Sequence, residues 1–395
     1  MGSMRDKVAI IGMGCTKYDD HYDKSGEDLL VEACYEAFAD AGVTQDDIQA
    51  GWLGGGITGQ TLAHALKLNF VPVTRVENWC ATGSDVFRNA AAFVAGGLYD
   101  IVLVAGFAAR GDAGGGERGI YGGGPEREWF VGEETVFAGP PAGTFSTFVT
   151  RYMHHYGLTY EQTKQGLGSI AIKNYHNGNL NPKAYFHKEI TMKDYMEAPM
   201  ISWPFGLHDC CVMPNGAAAA VITTPELAKK FRDDYVLLKG SGMSVGTKRG
   251  RVWDKYDWVH FDENVYAAKL AYADAGITTP LKELDVIAMH DAFTVVELAF
   301  YEDMGLAPRG KGGEYAAAGV FSLEGELPVN TNGGLKSFGH GGGSAGIHKT
   351  YEVYKQLQGK CGPRQVKGAT LGMIHDQGGY PGTYTVGLHV FGTRD

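Results

Sequence analysis

The chain has 395 residues, 44% of them hydrophobic, with 35 Lys+Arg against 45 Asp+Glu and a formal charge of −10. A chain this long exceeds the ~100–200 residues of one ordinary domain and can bury a large core, so two domains or two similar halves are expected. The acidic balance and the lack of basic clusters argue against nucleic acid or an anionic membrane as the main partner.

Glycine is abundant, 58 residues, in short loops between apolar runs, which predicts many tight turns and close backbone approaches. No apolar run reaches about 18 residues and the N-terminus lacks a signal-peptide pattern, so a cytoplasmic protein is expected. Met1-Gly2-Ser3 reads as a cloning remainder before a natural start at Met4. Cys15, Cys34, Cys80, Cys210, Cys211 and Cys361 form no C-x-x-C pair, which speaks against a zinc ribbon or a disulfide framework.

In chain order, Lys7–Met13 reads as a buried strand and Glu27–Ala41 as a helix, with Leu29, Leu30, Ala33, Cys34, Ala37 and Phe38 on one face and Gly42 as its C-cap. The phrase Ala33-x3-Ala37-x-Ala39-Asp40-Ala41-Gly42 returns 234 residues later as Ala267-x3-Ala271-x-Ala273-Asp274-Ala275-Gly276. After each copy come a strand (Ile48–Leu53; Leu284–Met289), a second helix (Cys80–Leu98; Gly341–Leu357) and another buried strand (Asp100–Gly106; Gly368–Ile374). The pattern predicts an α/β protein of two duplicated βαβαβ halves, against the competing reading of chance similarity between alanine-rich helices. The expected division is 4–110 plus 215–260 for the first half, 111–214 for an inserted loop domain, and 261–395 for the second half. The insertion carries Gly114–Gly116, Gly122–Gly124, a helix near Thr144–Tyr156, and Tyr121, Trp129, Phe145, Phe148, Tyr152 and Tyr156, which either pack ordinarily or line a large pocket.

Asn78-Trp79-Cys80-Ala81-Thr82-Gly83-Ser84 leads into a helix, placing Cys80 where backbone N–H groups and the positive end of the helix dipole favour thiolate. The alternative is a cysteine that is merely small and apolar. Three histidine turns sit at strand ends or helix starts of the second half: His290-Asp291-Ala292-Phe293, Phe338-Gly339-His340-Gly341 and His375-Asp376-Gln377-Gly378-Gly379. Sites in open α/β sheets gather there. Cys210 and Cys211 read as packing residues.

These motifs resemble, over nearly the whole chain, those of the thiolase superfamily. Asn78–Ser84 is similar to its nucleophile motif, His290–Phe293 to Asn-Glu-Ala-Phe or His-Asp-Cys-Phe, Gly339–Gly346 to Gly-His-Pro-x-Gly-x-(Ser/Ala)-Gly, and Cys211–Ile222 to its Ser-Asp-Gly-Ala-Ala stretch. The His-Asp pair is most like the sterol carrier protein-type (lipid-transfer) branch. The resemblance implies a layered α-β-α-β-α core and thiolytic cleavage of a 3-oxoacyl-CoA, bulky, branched or aryl, with benzoylsuccinyl-CoA as an example. It implies that Cys80 carries the acyl group, that His340 takes its proton and stabilises an oxyanion, and that His290 holds a water or donates to a second oxyanion. Coenzyme A is expected as substrate, beside Gly342, Ser344, Gly378 and Gly379, with no metal in this chain. A homodimer through Val71–Asn78 and a small OB-fold, zinc-ribbon partner protein are also implied.

The family's second cysteine is missing: Ala292 and His375 stand at about its two usual places. His375 is the expected proton donor, with Tyr380 in reserve. Gly341, where the pattern prefers proline, is expected to loosen its turn and admit a bulkier substrate. The alternatives are a thiolase-fold retro-aldolase using tyrosines, acyl transfer to a phenolic acceptor, and a non-catalytic scaffold subunit.

Overall fold

The computed structural model describes residues 3–56, 58–109, 141–247, 256–379 and 381–393. The first half contributes strands β1 (Ala9–Cys15), β2 (Ala50–Gly54), β3 (Val73–Val76) and β4 (Ile101–Ala108). A small hairpin follows, β5 (Met200–Ser202) and β6 (Phe205–Gly206), then β7 (Gly216–Thr223). The rest are β8 (Val236–Val245), β9 (Val286–Ala288), β10 (Leu371–Gly378) and β11 (Thr385–Gly392).

Among the described residues nine strands join in the order β3-β2-β4-β7-β1-β8-β11-β10-β9. The duplication is visible in the pairing. Strand β1 runs antiparallel to β7, which runs antiparallel to β4, which is parallel to β2. In the second half β8 runs antiparallel to β11, which runs antiparallel to β10, which is parallel to β9. Strand β8 thus stands where β1 stands in the first half. It pairs antiparallel with β11 on one side and with β1 on the other, and so joins the two groups of strands.

The repeated alanine phrase marks the same packing device twice. Helix Gly26–Ala41 is opened by Ser25, whose hydroxyl accepts from Asp28 N–H while the Asp28 carboxylate accepts from Ser25 N–H. Its end, Gly42, has φ 72°, and Gly276 after helix Asp262–Ala275 has φ 77°, left-handed conformations that glycine adopts without strain. Each helix presses on a strand glycine pair. A Cβ on Gly12 or Gly14 would overlap the carbonyls of Ala37 and Ala33, and one on Gly240 or Gly242 those of Ala271 and Ala267. The contacted alanines are those of the repeat.

Strand β1 is buried on both faces: Ala9 and Ile11 pack with the outer helix, and Ile10 with Val86, Phe87, Ile347 and Val353 of the central layer. That layer consists of helices Thr82–Ala95 and Ala345–Leu357. They meet at glycine, since a Cβ on Gly83 would lie 2.5 Å from the Gly346 nitrogen. This close approach carries the starts of both helices, and the turns before them, to one place.

Of the insertion, residues 110–140 lie outside the described residues, and with them Tyr121 and Trp129. Helices Pro141–Tyr156 and Tyr160–Asn179 cover the second half. Phe145 stacks on Phe293 at 4.6 Å and Phe148 on Phe261 at 4.6 Å, and Tyr152 is buried with them. These aromatics, together with Tyr156 at 4.7 Å from Tyr152, are packing residues of that core.

Candidate active site

The turn between β3 and helix Thr82–Ala95 is tied by its own polar residues. Asn78 N–H donates to Thr82 Oγ1 at 2.8 Å and its side-chain amide to Asp85 at 2.5 Å. Trp79 N–H donates to Glu77 at 2.8 Å, and Trp79 itself holds φ 55°, a strained conformation for a bulky side chain. Gly378 at the end of β10 presses on this turn: a Cβ there would lie 2.5 Å from Asn78 O and 2.7 Å from Cys80 N. Cys80 is thereby fixed, half-buried, just ahead of the helix.

The expected depression of its pKa is not what its surroundings produce. Burial, then the charges of Asp376 and Cys211, push the Cys80 thiol up. The free enzyme holds a thiol, so its proton must be moved as the reaction begins.

Two histidines stand ready for that thiol. The Cys80 sulfur and one ring nitrogen each of His290 and His340 all lie within 4.8 Å of one another, and the two rings meet edge to face at 5.2 Å. The same donor set has the chemistry to hold a soft divalent ion, in competition with acyl transfer. The hydrogen-bond partners assign the two rings opposite tautomers. His340 Nδ1 accepts from Gly342 N–H at 3.1 Å, and burial pushes the ring's pKa down to about 3. The ring is therefore neutral with its proton on Nε2, a hydrogen-bond donor. His290 Nδ1 faces Asp376 Oδ1 at 3.3 Å, and the Lys349 ammonium pairs with that same oxygen. Lys349 and Asp376 are fully buried, and a buried ammonium needs its counter-charge, which makes Asp376 a carboxylate and His290 Nδ1 a donor to it. His290 Nε2 is left with a free lone pair. Burial and the Lys349 charge hold His290 well below its ordinary pKa, so it is empty of a second proton at neutral pH. In this arrangement His290 Nε2 is placed to accept a proton and His340 Nε2 to donate a hydrogen bond.

His375, expected as proton donor, has both nitrogens engaged inside the protein. Nδ1 accepts from His290 N–H at 3.4 Å, Nε2 lies 3.0 Å from Asn264 Oδ1, and the ring packs on Phe300 at 4.4 Å. It positions the His290 turn. The reserve candidate Tyr380 lies outside the described residues. Ser344, expected beside coenzyme A, is buried with its hydroxyl at 2.5 Å from Tyr18 and 2.7 Å from Gly341 O. Gly342 serves His340. Gly378 backs the Cys80 turn, and Gly379 turns the chain after β10 with φ 99°. Gly341 does not open space, because a Cβ there would lie 2.5 Å from Ser344 Oγ and 2.7 Å from the Tyr18 ring.

Asp291 does structural work. Its carboxylate accepts from Leu335 N–H at 2.5 Å, Lys336 N–H at 3.3 Å and Asn174 at 2.8 Å, and burial with the Glu297 charge pushes it up to about 6. This ties the His290 turn to the segment entering the His340 turn. Sequence reasoning missed Asp376, Lys349 and the proximity of Cys211; Asp376, an acid beside a histidine, was the available signal.

Residues 244–391 match the family model described as thiolase C-terminal domain-like. An acetyl-CoA acetyltransferase of Methanothermobacter thermautotrophicus is 34% identical over 98% of this chain and 100% of its own length. Sterol carrier protein 2 of Oryctolagus cuniculus is 30% identical over 94% of the chain and 70% of its own, and the benzoylsuccinyl-CoA thiolase subunit BbsB of Thauera aromatica 28% over 94% and 95%. Among solved structures, the Ltp2-ChsH2(DUF35) aldolase superposes with a TM-score of 0.84 at 23% identity, covering 98% of both chains. A monomeric SCP2-thiolase-like protein from Mycobacterium smegmatis gives 0.74 at 16%, covering 99% of this chain and 78% of its own. With a full-length relative at 34% identity and the motif residues gathered around one thiol, the chain belongs to the thiolase family.

Proposed function

We propose that the chain is an acyl-CoA C-acyltransferase that works through an acyl group on Cys80. The observation that carries this is one thiol grouped within 4.8 Å with a ring nitrogen of each of two histidines, whose hydrogen-bond partners favour opposite tautomers. His290 takes the Cys80 proton as the sulfur attacks the carbonyl, and Asp376 stabilises the imidazolium that forms. His340 donates to the oxygen on which charge develops. Free coenzyme A then receives the acyl group as the second substrate.

The acyl group we favour is acetyl. The relatives at 34% and 32% identity are both named acetyl-CoA acetyltransferase, and Phe145, Phe148, Tyr152 and Tyr156 pack into the core. A bulky aryl substrate such as benzoylsuccinyl-CoA is the second reading, supported by BbsB. A retro-aldolase is supported by one structural neighbour, but it leaves the Cys80–His290–His340 arrangement without a task. Strand β3 lies at one edge of the sheet, which supports pairing of Val71–Asn78 with a second copy. A companion chain is supported by the names of BbsB, a subunit, and Ltp2-ChsH2(DUF35).

Intact-mass analysis after incubation with acetyl-CoA and with an aryl 3-oxoacyl-CoA tests the proposal. An added acyl mass that disappears in Cys80→Ala is expected; cleavage that persists in Cys80→Ala would overturn it.

A further inference from the structure

The cleavage of a carbon–carbon bond leaves an enolate that needs a proton, and His375 is not placed to give it. Two other residues of the site region lie side by side. Cys210 and Phe293 form an antiparallel bridge, and Cys211 N–H donates to Ala292 O at 2.9 Å. Antiparallel register therefore sets Cys211 opposite Ala292, with the two side chains on one face and Cβ atoms about 5 Å apart. One residue further, Val212 O accepts from His340 N–H at 2.7 Å. The segment 210–212 is thus held between the two turns that carry His290 and His340, whose rings flank Cys80.

Burial agrees with this placement. Cys15, Cys34 and Cys361 are buried, whereas Cys80, Cys210 and Cys211 are half-buried, and of the last two it is Cys211 that shares a face with Ala292. The two thiols are close enough for a charge on Cys211 to raise Cys80.

We propose that Cys211 is a second catalytic thiol, the acid that protonates the carbon released by cleavage. This rests on the acyl-enzyme reading of Cys80. In the cleavage direction the Cys80 sulfur bonds to C3 of the substrate while its own proton passes to His290. The C2–C3 bond breaks, its electron pair stays on C2, and C2 takes the proton of the Cys211 thiol. The incoming CoA thiol gives its proton to the Cys211 thiolate as its sulfur attacks the acyl carbonyl. The Cys80–carbon bond breaks, and His290 returns its proton to Cys80. Every proton and electron pair is accounted for without a further co-reactant. Burial pushes the Cys211 thiol up to about 12, against the opposing charge of Lys336, so it stands protonated at neutral pH, ready as an acid. Alanine at 292 and cysteine at 211 then form one exchange across a strand pair: the thiol has moved to the neighbouring strand and still faces the same space.

The test compares the full chain with Cys211→Ala, Cys211→Ser and, as a control, Cys210→Ala, whose native thiol faces Gly206 O instead. Each is incubated with acetyl-CoA in heavy water. Intact mass reads acylation of Cys80, and proton NMR reads exchange of the acetyl methyl hydrogens. Acylation from acetyl-CoA is the reverse of the CoA step, and the CoA thiolate that takes the Cys211 proton there is stable enough to leave without it, so a loss of less than about tenfold is expected. Removal of a C–H proton cannot proceed without a base, so both Cys211 variants should lose about 10²-fold or more in exchange while Cys210→Ala keeps it. Exchange within about threefold of the unaltered protein in Cys211→Ala would overturn the proposal, as would equal loss of acylation and exchange in both Cys211 variants. Absence of any acyl mass in the unaltered protein would instead overturn the acyl-enzyme reading itself.

Discussion

His290 Nδ1 meets Asp376 Oδ1 at 3.3 Å on the one carboxylate oxygen that Lys349 also holds. One carboxylate therefore both neutralises a buried ammonium and sets the tautomer of the ring beside Cys80. Asp376→Asn breaks both functions. It strands Lys349, at a cost of about 3–5 kcal/mol for an unpaired buried charge. It also removes the charge that stabilises the His290 imidazolium, for an expected fall in kcat of about 10²-fold or more. The double variant Asp376→Asn/Lys349→Met separates the two: stability measured by denaturant titration should largely return while kcat stays low. Recovery of both together would leave Asp376 with a structural role alone.

The two histidines should differ in how they affect the free thiol. His340 donates and His290 accepts, so alkylation of Cys80 by iodoacetamide, which needs the proton removed, should slow in His290→Ala and stay near normal in His340→Ala. Loss of the His340 donor should still lower kcat by about 10²–10³-fold, the usual effect of removing one oxyanion donor. Alkylation slowed by His340→Ala and unaffected by His290→Ala would reverse the assignment.

What the sequence made legible was whatever repeats or sits on a motif. The alanine phrase at 33–42 and 267–276 predicts the two outer helices because the small residues are the points where strand glycines press. Cys80 and His340 are gathered by a fold whose central helices start together, and their motifs mark those starts, while His290 follows strand β9. Roles were less legible than positions. In β10 it is Asp376 that meets Lys349 and His290 while the His375 ring packs on Phe300, because adjacent strand residues point to opposite faces. Cys211 was hidden for a related reason: its neighbour across the strand, Ala292, is 81 residues away in sequence, and no spacing rule connects them.

Gly14 and Gly242 give a matched test of the duplication. A methyl group at either would overlap the carbonyl of Ala33 or Ala267, so Gly14→Ala and Gly242→Ala should each destabilise by about 1–3 kcal/mol or more. Gly97, with φ 72° and no atom within 4 Å of an added Cβ, carries only the left-handed backbone penalty, of order 1–2 kcal/mol. Thermal unfolding of the three variants should therefore rank the strand glycines together and ahead of Gly97→Ala. Unequal effects at Gly14 and Gly242 would show that the two halves do not use the contact alike.

Acid should weaken the fold before the carboxylates reach their ordinary range. Burial depresses His290, His340, His348, His375 and His389, with His340 at about 3 and His389 at about 4. A depressed folded pKa contributes stability that is present above the unfolded value of ~6.5 and is lost as pH falls towards the folded value. At pH 6 the loss is roughly 1 kcal/mol for each such ring. Asp291 and Asp303 act in the opposite sense: both are pushed up to about 6, chiefly by burial, so the folded protein takes up protons that the unfolded chain binds only near ~3.9. Between pH 7 and 6 the histidines therefore prevail, and below pH 6 the two carboxylates offset part of the further loss. The unfolding temperature should fall from pH 7 to 6 and then continue down at least as steeply, because five rings outnumber the two carboxylates. Calorimetry across pH 5–8 checks this, and a protein more stable at pH 6 than at pH 7 would contradict the buried, uncharged state assigned to these rings.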